Sequence, residues 1–212
     1  MRDGAALAEL MSRRGIRDEA VLAALAAVPR DQFVPEQLRR QAYADRALPI
    51  GSGQTISQPF MVATMLEALA LDGGRVLDVG TGSGYQAALL AELADEVVTI
   101  ERVPELAEEA RRTLERAGYG RVDVRVGDGT LGVPERAPFD GIVVAAAAPA
   151  VPDTLYEQLA PGGRLVVPVG TRREQWLEIV ERGPDGARRS RTVPCRFVPL
   201  LGAAGFDEYR GG

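Results

Sequence analysis

From Arg75 onward the chain alternates short apolar runs with helical patterns, and that alternation limits the fold more than any other feature. Residues 76–79 are a short apolar run that ends in glycines. A helix is predicted over 87–94 and a second strand over 97–100. The next helix starts at Pro104, carries Glu105, Glu108 and Glu109 early and Arg111, Arg112 and Arg116 late, and stops before Gly118. That charge order complements the helix dipole. Leu106, Ala110, Thr113, Leu114 and Ala117 give this helix a sheet-facing stripe. Strands are predicted at 122–126, 139–144 and 164–169, with a short helix at 154–159 before the last. Runs at 176–180 and 196–200 read as two final strands, with the turn Gly183-Pro184-Asp185-Gly186 between them. The expectation is an α/β chain: a doubly wound, mostly parallel sheet with right-handed crossovers and an antiparallel end.

The first third reads as an N-terminal helical extension. Leu7, Leu10 and Met11 mark one helix face, ended by Gly15. Asp18 is placed to cap a second helix with Val21, Leu22, Leu25 and Val28 on one side, stopped near Pro29. Residues 29–57 are loop-rich, and after Pro59 the spacing of Met61, Met65, Leu66 and Leu69 predicts a third helix.

The turn after the first core strand reads Val76-Leu77-Asp78-Val79-Gly80-Thr81-Gly82-Ser83-Gly84. Glycines at 80, 82 and 84 let the backbone turn tightly and approach a ligand. Glu101 ends the next strand, 21 positions after Gly80. A carboxylate there can accept both hydroxyls of a ribose. Asp128, followed by Gly129, comes after the third strand. Three successive strands thus end in Asp78, Glu101 and Asp128, at the carboxyl edge where such sheets bind ligands. The dinucleotide fingerprint G-x-G-x-x-G would need glycine at 85, where Tyr85 stands. G-x-G-x-G preceded by an acid resembles instead the class I S-adenosylmethionine (SAM)-dependent methyltransferases. That resemblance implies a cofactor with a methionine part, a ribose and an adenine, and puts Asp128 at the adenine amino group.

Composition removes other chemistries. The chain has no His, Lys or Asn, so its 25 basic residues are all Arg. Ser-His-Asp and Cys-His nucleophilic catalysis, a Walker P-loop and a pyridoxal Schiff base are therefore excluded. With one cysteine, Cys195, and no His, no zinc site and no internal disulfide is expected. The 30 acids against 25 bases, net charge -5, give no footprint for nucleic acid. Residues 1–10 carry two acids and no long apolar run, unlike a signal peptide, and no segment is apolar enough to span a membrane. A cytoplasmic protein is expected.

Function turns on residues 49–63, Pro-Ile-Gly-Ser-Gly-Gln-Thr-Ile-Ser-Gln-Pro-Phe-Met-Val-Ala. This is a polar, glycine-flanked loop before a helix. Its hydroxyls and backbone N–H groups could hold a carboxylate, and Ser57 could equally be the helix N-cap. As a string, Gly53-Gln54-Thr55-Ile56-Ser57-Gln58-Pro59 resembles the signature loop of the protein-L-isoaspartate (D-aspartate) O-methyltransferases. The likeness extends to Val28-Pro29-Arg30 with Phe33-Val34-Pro35, to Asp45-Arg46-Ala47-Leu48-Pro49-Ile50, to Phe139-Asp140 with the alanines 145–148, to residues 159–170, and to Arg196-Phe197-Val198-Pro199-Leu200. The first twenty residues and the tail after Gly202 carry none of it. At Val62 the chain departs from a His of some relatives.

The resemblance implies a repair enzyme that moves a methyl group from SAM to the free α-carboxylate of an isoaspartyl residue. The product ester closes to a succinimide, which opens in part to normal aspartate. It implies Ser57 as the active-site residue and cofactor contacts from Gln54, Thr55, Ile56, Ser57, Asp78, Gly80, Gly82, Gly84, Glu101, Asp128 and Gly129. A carboxylate is already ionised at neutral pH, so a chain without His or Lys lacks nothing the reaction needs. The expected partners are isoaspartyl-containing proteins and peptides, with no nucleic acid and no membrane, and the chain is expected to act as a monomer. One domain is expected over 1–212, with helices and substrate loop in 1–70 and the SAM-binding core and C-terminal strands in 71–212. A methyltransferase for small molecules or nucleic acid, an NAD-dependent oxidoreductase and a non-catalytic nucleotide-binding module remain alternatives at this point.

Overall fold

The computed structural model describes residues 3–207. Helix α1 (Gly4–Arg13) is capped by Asp3, and α2 (Glu19–Ala27) by Asp18, whose side chain accepts from the N–H groups of Ala20 and Val21. Leu7, Met11, Val21 and Leu25 are buried between them, but Leu10 is 39% exposed. Leu7 and Met11, four apart, lie in line along the helix, and Leu10 falls to the side of that line. Two short 3-10 turns, Arg30–Phe33 and Glu36–Gln41, lead to a two-stranded hairpin of β1 (Leu48–Gly51) and β2 (Gln54–Ile56). Helix α3 (Pro59–Leu69) follows.

The remaining strands are β3 (Arg75–Val79), β4 (Glu96–Glu101), β5 (Asp123–Val126), β6 (Phe139–Val144), β7 (Leu159–Gly170), β8 (Gln175–Gly183) and β9 (Gly186–Cys195). They form one sheet in the order β5-β4-β3-β6-β7-β8-β9. Neighbours from β5 to β7 are parallel, and β7-β8 and β8-β9 are antiparallel. Helix α4 (Tyr85–Leu93) connects β3 to β4, and α5 (Pro104–Arg116) connects β4 to β5. Helix α6 (Asp153–Tyr156) is a single turn before β7. This is the α/β, doubly wound, mostly parallel sheet with an antiparallel end.

The expected loop at 29–57 contains the β1–β2 hairpin, the helix expected at 154–159 is the single turn 153–156, and the end of the sheet also differs. The last strand is the Arg-rich segment Gly186–Cys195, and residues 196–200 form no strand of the sheet. They lean instead on the end of β6, where Ala147 N–H donates to Val198 and Leu200 N–H donates to Ala147.

The core has two layers, divided by strand parity. Val76, Val97, Val143 and Val166 face α1 to α4, while Leu77, Val79, Val98, Ile142, Val144 and Val167 face α6 and the 133–159 connections. Residues 85–91 of α4 are all buried, because α2 and the sheet cover opposite sides of that helix. The N-terminal extension therefore roofs the helix that begins at the glycine turn.

Candidate active site

The glycine turn folds as its residues require. Gly80, Gly82 and Gly84 have φ of 96°, 51° and 86°, in the left-handed region that an L side chain avoids. Gly84 leads directly into α4, whose first N–H groups open toward the end of β3. Glu101, at the tip of β4, fixes the turn from the next strand. Its Oε2 accepts from Gly82 N–H at 3.0 Å and its Oε1 from Val103 N–H at 3.0 Å. Each oxygen keeps a lone-pair position for a further donor.

Asp78 shares the parity of Val76, so its carboxylate points under α4 and away from the open edge of the turn. It is fully buried, accepting from Gln86 Nε2 at 2.8 Å and Thr99 Oγ1 at 2.9 Å. Burial pushes its carboxyl up to about 7, against those two hydrogen bonds, and nearby Glu101 adds to the rise. Thr99 also touches Thr81 Oγ1 at 2.6 Å. Asp78 therefore holds β4, α4 and the glycine turn together from beneath.

Asp128 is likewise engaged with protein. Its Oδ1 accepts from the N–H and hydroxyl of Thr130, and its Oδ2 from Ala203 N–H at 2.8 Å. Partial burial opposes its charge, but the hydrogen bonds from Ala203 and Thr130 outweigh it and hold the carboxyl below the usual carboxylate range. The contact ties the C-terminal segment to the end of β5. Gly129 follows because a Cβ there would sit 2.6 Å from Val79 Cγ1.

The 49–58 segment is the β1–β2 hairpin and its exit. Asp45 anchors it: Oδ1 accepts from Phe60 N–H at 3.0 Å, Oδ2 accepts from Gln58 Nε2, and Arg14 pairs with the same carboxylate. The N-cap position of α3 is Gln58, and Asp45 supplies the acceptor, so the Ser57 side chain is not used as a cap. Its hydroxyl makes no hydrogen bond with any described residue, while its carbonyl accepts from Arg30 Nη2 at 2.7 Å.

These parts enclose a cavity of about 840 Å³. Gln54, Thr55, Ile56 and Ser57 form one wall, Gly80, Gly82, Glu101 and Gly129 the floor, and residues 194–201 the opposite wall. Asp78, Gly84 and Asp128 lie outside the lining and shape it from behind. Of the alanine run, Ala145 and Ala146 line the cavity, whereas Ala147 and Ala148 are buried. Sequence reading missed Asp45, Thr81, Thr99, Gln86 and Arg30. Arg30, Asp45 and Thr81 stand in the quoted strings without a role assigned to them, and Thr99 carries a signal as a hydroxyl within an apolar strand in register with Asp78. Cys195 reaches the wall, but burial pushes its thiol up to about 11, so it stays protonated at neutral pH. Among the described residues no group of three or more His, Cys, Asp or Glu is placed to hold a metal ion.

The cavity brings Glu101, with acceptor positions to spare, and Ser57 to one space large enough for an elongated ligand. Open backbone at the left-handed glycines, spare acceptor positions on Glu101 and a Gly129 without room for a side chain are features of a built cradle. The family model of protein-L-isoaspartate(D-aspartate) O-methyltransferase matches residues 1–205. The protein-L-isoaspartate O-methyltransferase of Anaeromyxobacter dehalogenans is 60% identical over 198 residues, covering 92% of this chain and 95% of that relative. Protein-L-isoaspartate O-methyltransferase 2 of Marinobacter nauticus is 59% identical over 196 residues, covering 91% and 90%. Among solved structures, one of a protein-L-isoaspartate O-methyltransferase superposes with a TM-score of 0.84 at 31% identity, covering 94% of this chain and 66% of that one. A Plasmodium falciparum structure, assigned to the same enzyme and in complex with S-adenosyl-L-homocysteine, gives 0.83 at 26% identity, covering 95% and 99%. With its full-length likeness and this cavity, the chain belongs to the protein-L-isoaspartate(D-aspartate) O-methyltransferase family.

Proposed function

We propose that this chain methylates the free α-carboxylate of L-isoaspartyl residues in damaged proteins and peptides, using SAM. The observation that carries the reading is the placement of the Ser57 hydroxyl, unpartnered, on the wall of the cavity whose floor is the glycine turn and Glu101. Bound SAM would supply an electrophilic methyl group for a carboxylate oxygen, its sulfonium becoming the neutral thioether of S-adenosyl-L-homocysteine. The remaining work falls to this chain. Glu101 would hold the ribose hydroxyls, and backbone N–H groups at the start of α4 would hold the methionine carboxylate. Gln54, Thr55 and Ile56 cover the cofactor, and Asp78, Gly84 and Asp128 act through the backbone they brace. Ser57 donates to the substrate carboxylate and aims it; it is no nucleophile, because its hydroxyl is hydrogen-bonded to no base among the described residues. The wall at 194–201 excludes water and flanks the peptide, so catalysis is positioning.

The proposal extends to the organisation of the chain. Residues 1–70 supply roof and substrate hairpin, 71–212 the cofactor core, and the two act as one domain. No helix among the described residues is long and apolar enough to cross a membrane. A monomer acting on isoaspartyl proteins in the cytoplasm is the setting we infer, supported by a chain without cysteine pairs or a basic surface excess.

The test is methyl-labelled SAM with two peptides that differ only in isoaspartate against aspartate. Label on the isoaspartyl peptide alone, released as methanol by mild base, is the expected result. Transfer to neither peptide, with the cofactor still bound, would overturn the substrate assignment.

A further inference from the structure

We propose that Arg30 is a positioning residue that makes the site selective for an anionic acceptor, its buried charge acting through the Ser57 wall on the substrate carboxylate. This rests on the isoaspartyl carboxylate being the group methylated. Arg30 is completely buried. Its Nε donates to the Ala42 carbonyl at 2.8 Å and its Nη2 to the Ser57 carbonyl at 2.7 Å. The guanidinium lies 4.6 Å from the centre of the Tyr85 ring, on the first residue of α4. Its Nη1 and the Tyr85 hydroxyl are both buried and face each other, but not in hydrogen-bond geometry, so the neutral phenol is the nearest titratable group to the charge.

No Asp or Glu among the described residues pairs with Arg30. A buried cation without a counter-ion is expensive, and bracing two carbonyls does not require one. A neutral donor would hold a carbonyl as well. What the surroundings lack is a negative charge, and in the proposed reaction the substrate brings it. Ser57 lines the cavity, so the charge sits one residue behind the wall, in a low-dielectric setting where its field is weakly screened. Arginine keeps its proton in such a place where lysine readily loses it.

The reaction dictates where this charge shows. Methyl transfer converts the carboxylate to a neutral ester, so attraction to Arg30 is largest for bound substrate and weakens on the way to product. Arg30 then lowers KM without raising kcat, and the ester leaves a site that no longer attracts it.

The experiment compares wild type, Arg30→Gln and Arg30→Lys. Gln keeps a donor for the Ser57 carbonyl and removes the charge; Lys replaces the fixed charge by a titratable one. Calorimetry with S-adenosyl-L-homocysteine verifies the cofactor site of each variant. The readouts are KM and kcat for an isoaspartyl peptide, and the inhibition constant of the same peptide bearing a carboxamide in place of the free carboxylate. Arg30→Gln is expected to raise KM about tenfold, with kcat within about twofold and the carboxamide unaffected. Arg30→Lys, whose buried ammonium loses its proton more readily, should restore KM only as the pH is lowered. Equal weakening of carboxylate and carboxamide, or a fall in kcat at constant KM, would reduce Arg30 to a brace and overturn the proposal. Should Arg30→Gln not fold, Arg30→Met carries the same comparison. In wild type alone, equal affinity for the two peptides would also overturn it. Wild type that methylates no isoaspartyl peptide would instead strike the proposed function itself.

Discussion

Thr99 Oγ1 donates to Asp78 Oδ2 at 2.9 Å across two paired strands, and Thr81 reaches the same threonine from the glycine turn at 2.6 Å. The acid of the cofactor motif is therefore a buried anchor whose hydrogen bonds run through a threonine relay to the turn. Its protonation is coupled to folding. The folded carboxyl is pushed up to about 7 by burial, while the unfolded one titrates near its ordinary 3.8. The unfolded chain loses the proton first, so stability is fully present below pH 4, falls as pH rises to about 7, and is level above. The expected loss across this window is about 2–4 kcal/mol. In Asp78→Asn the amide oxygen can still accept from Gln86, and the two threonine hydroxyls can reverse to accept the amide N–H. Denaturant unfolding from pH 4 to 8 should show the fall in wild type and a flatter profile in the variant. Matching profiles would assign the fall to other groups.

Glu101 is expected to control cofactor affinity. Its two oxygens each accept one backbone N–H and retain capacity for a diol. Glu101→Ala removes a charged acceptor and leaves Gly82 N–H without its partner. The dissociation constant for S-adenosyl-L-homocysteine should rise about 10–100-fold, as loss of hydrogen bonds to a charged group predicts. Calorimetry reads this directly, and an unchanged constant would remove Glu101 from the cofactor site.

What could be read from the sequence was what is local. The glycine spacing, Glu101 at the tip of the next strand and the helix starts at Asp18 and Pro104 all rest on neighbours along the chain. Asp78 and Asp128 looked like Glu101 because all three end strands, yet their side chains serve different partners. Strand parity sends Asp78 beneath α4, and Asp128 meets Ala203, 75 residues away, which no local pattern could signal. The last strand was misplaced for a related reason. Most of β9 is exposed and carries Arg188, Arg189 and Arg191, so it lacks the alternating apolar residues that mark a half-buried strand. The apolar run at 196–200 packs along Ala147 and the cavity, and its apolarity reports that wall.

Gly202 is expected to matter for substrate more than for cofactor. Its φ is +153°, and a Cβ there would lie 2.1 Å from Asp128 Oδ1. Gly202→Ala must push Asp128 away from Ala203 or shift the segment that forms the 194–201 wall. We expect destabilisation of about 1–3 kcal/mol and a raised KM for isoaspartyl peptide. Affinity for S-adenosyl-L-homocysteine should fall less than that for peptide, because Gly80, Gly82 and Glu101 are held independently of Asp128. Thermal unfolding with peptide kinetics checks this, and an unchanged KM would show that the wall does not contact peptide.

Ser57→Ala separates aiming from covalent chemistry. The hydroxyl has no hydrogen-bond partner among the described residues, so no base is engaged to activate it as a nucleophile. Loss of one hydrogen bond to a carboxylate predicts a fall in kcat/KM of about 10–100-fold, with slow turnover remaining. The carbonyl of residue 57, which Arg30 holds, is unaffected by the change, so the hairpin and the affinity for S-adenosyl-L-homocysteine should be preserved. Single-turnover transfer of labelled methyl to isoaspartyl peptide measures the residual rate. Complete loss of transfer, with the cofactor bound as in wild type, would mean that Ser57 takes part in bond making and that aiming alone does not account for it.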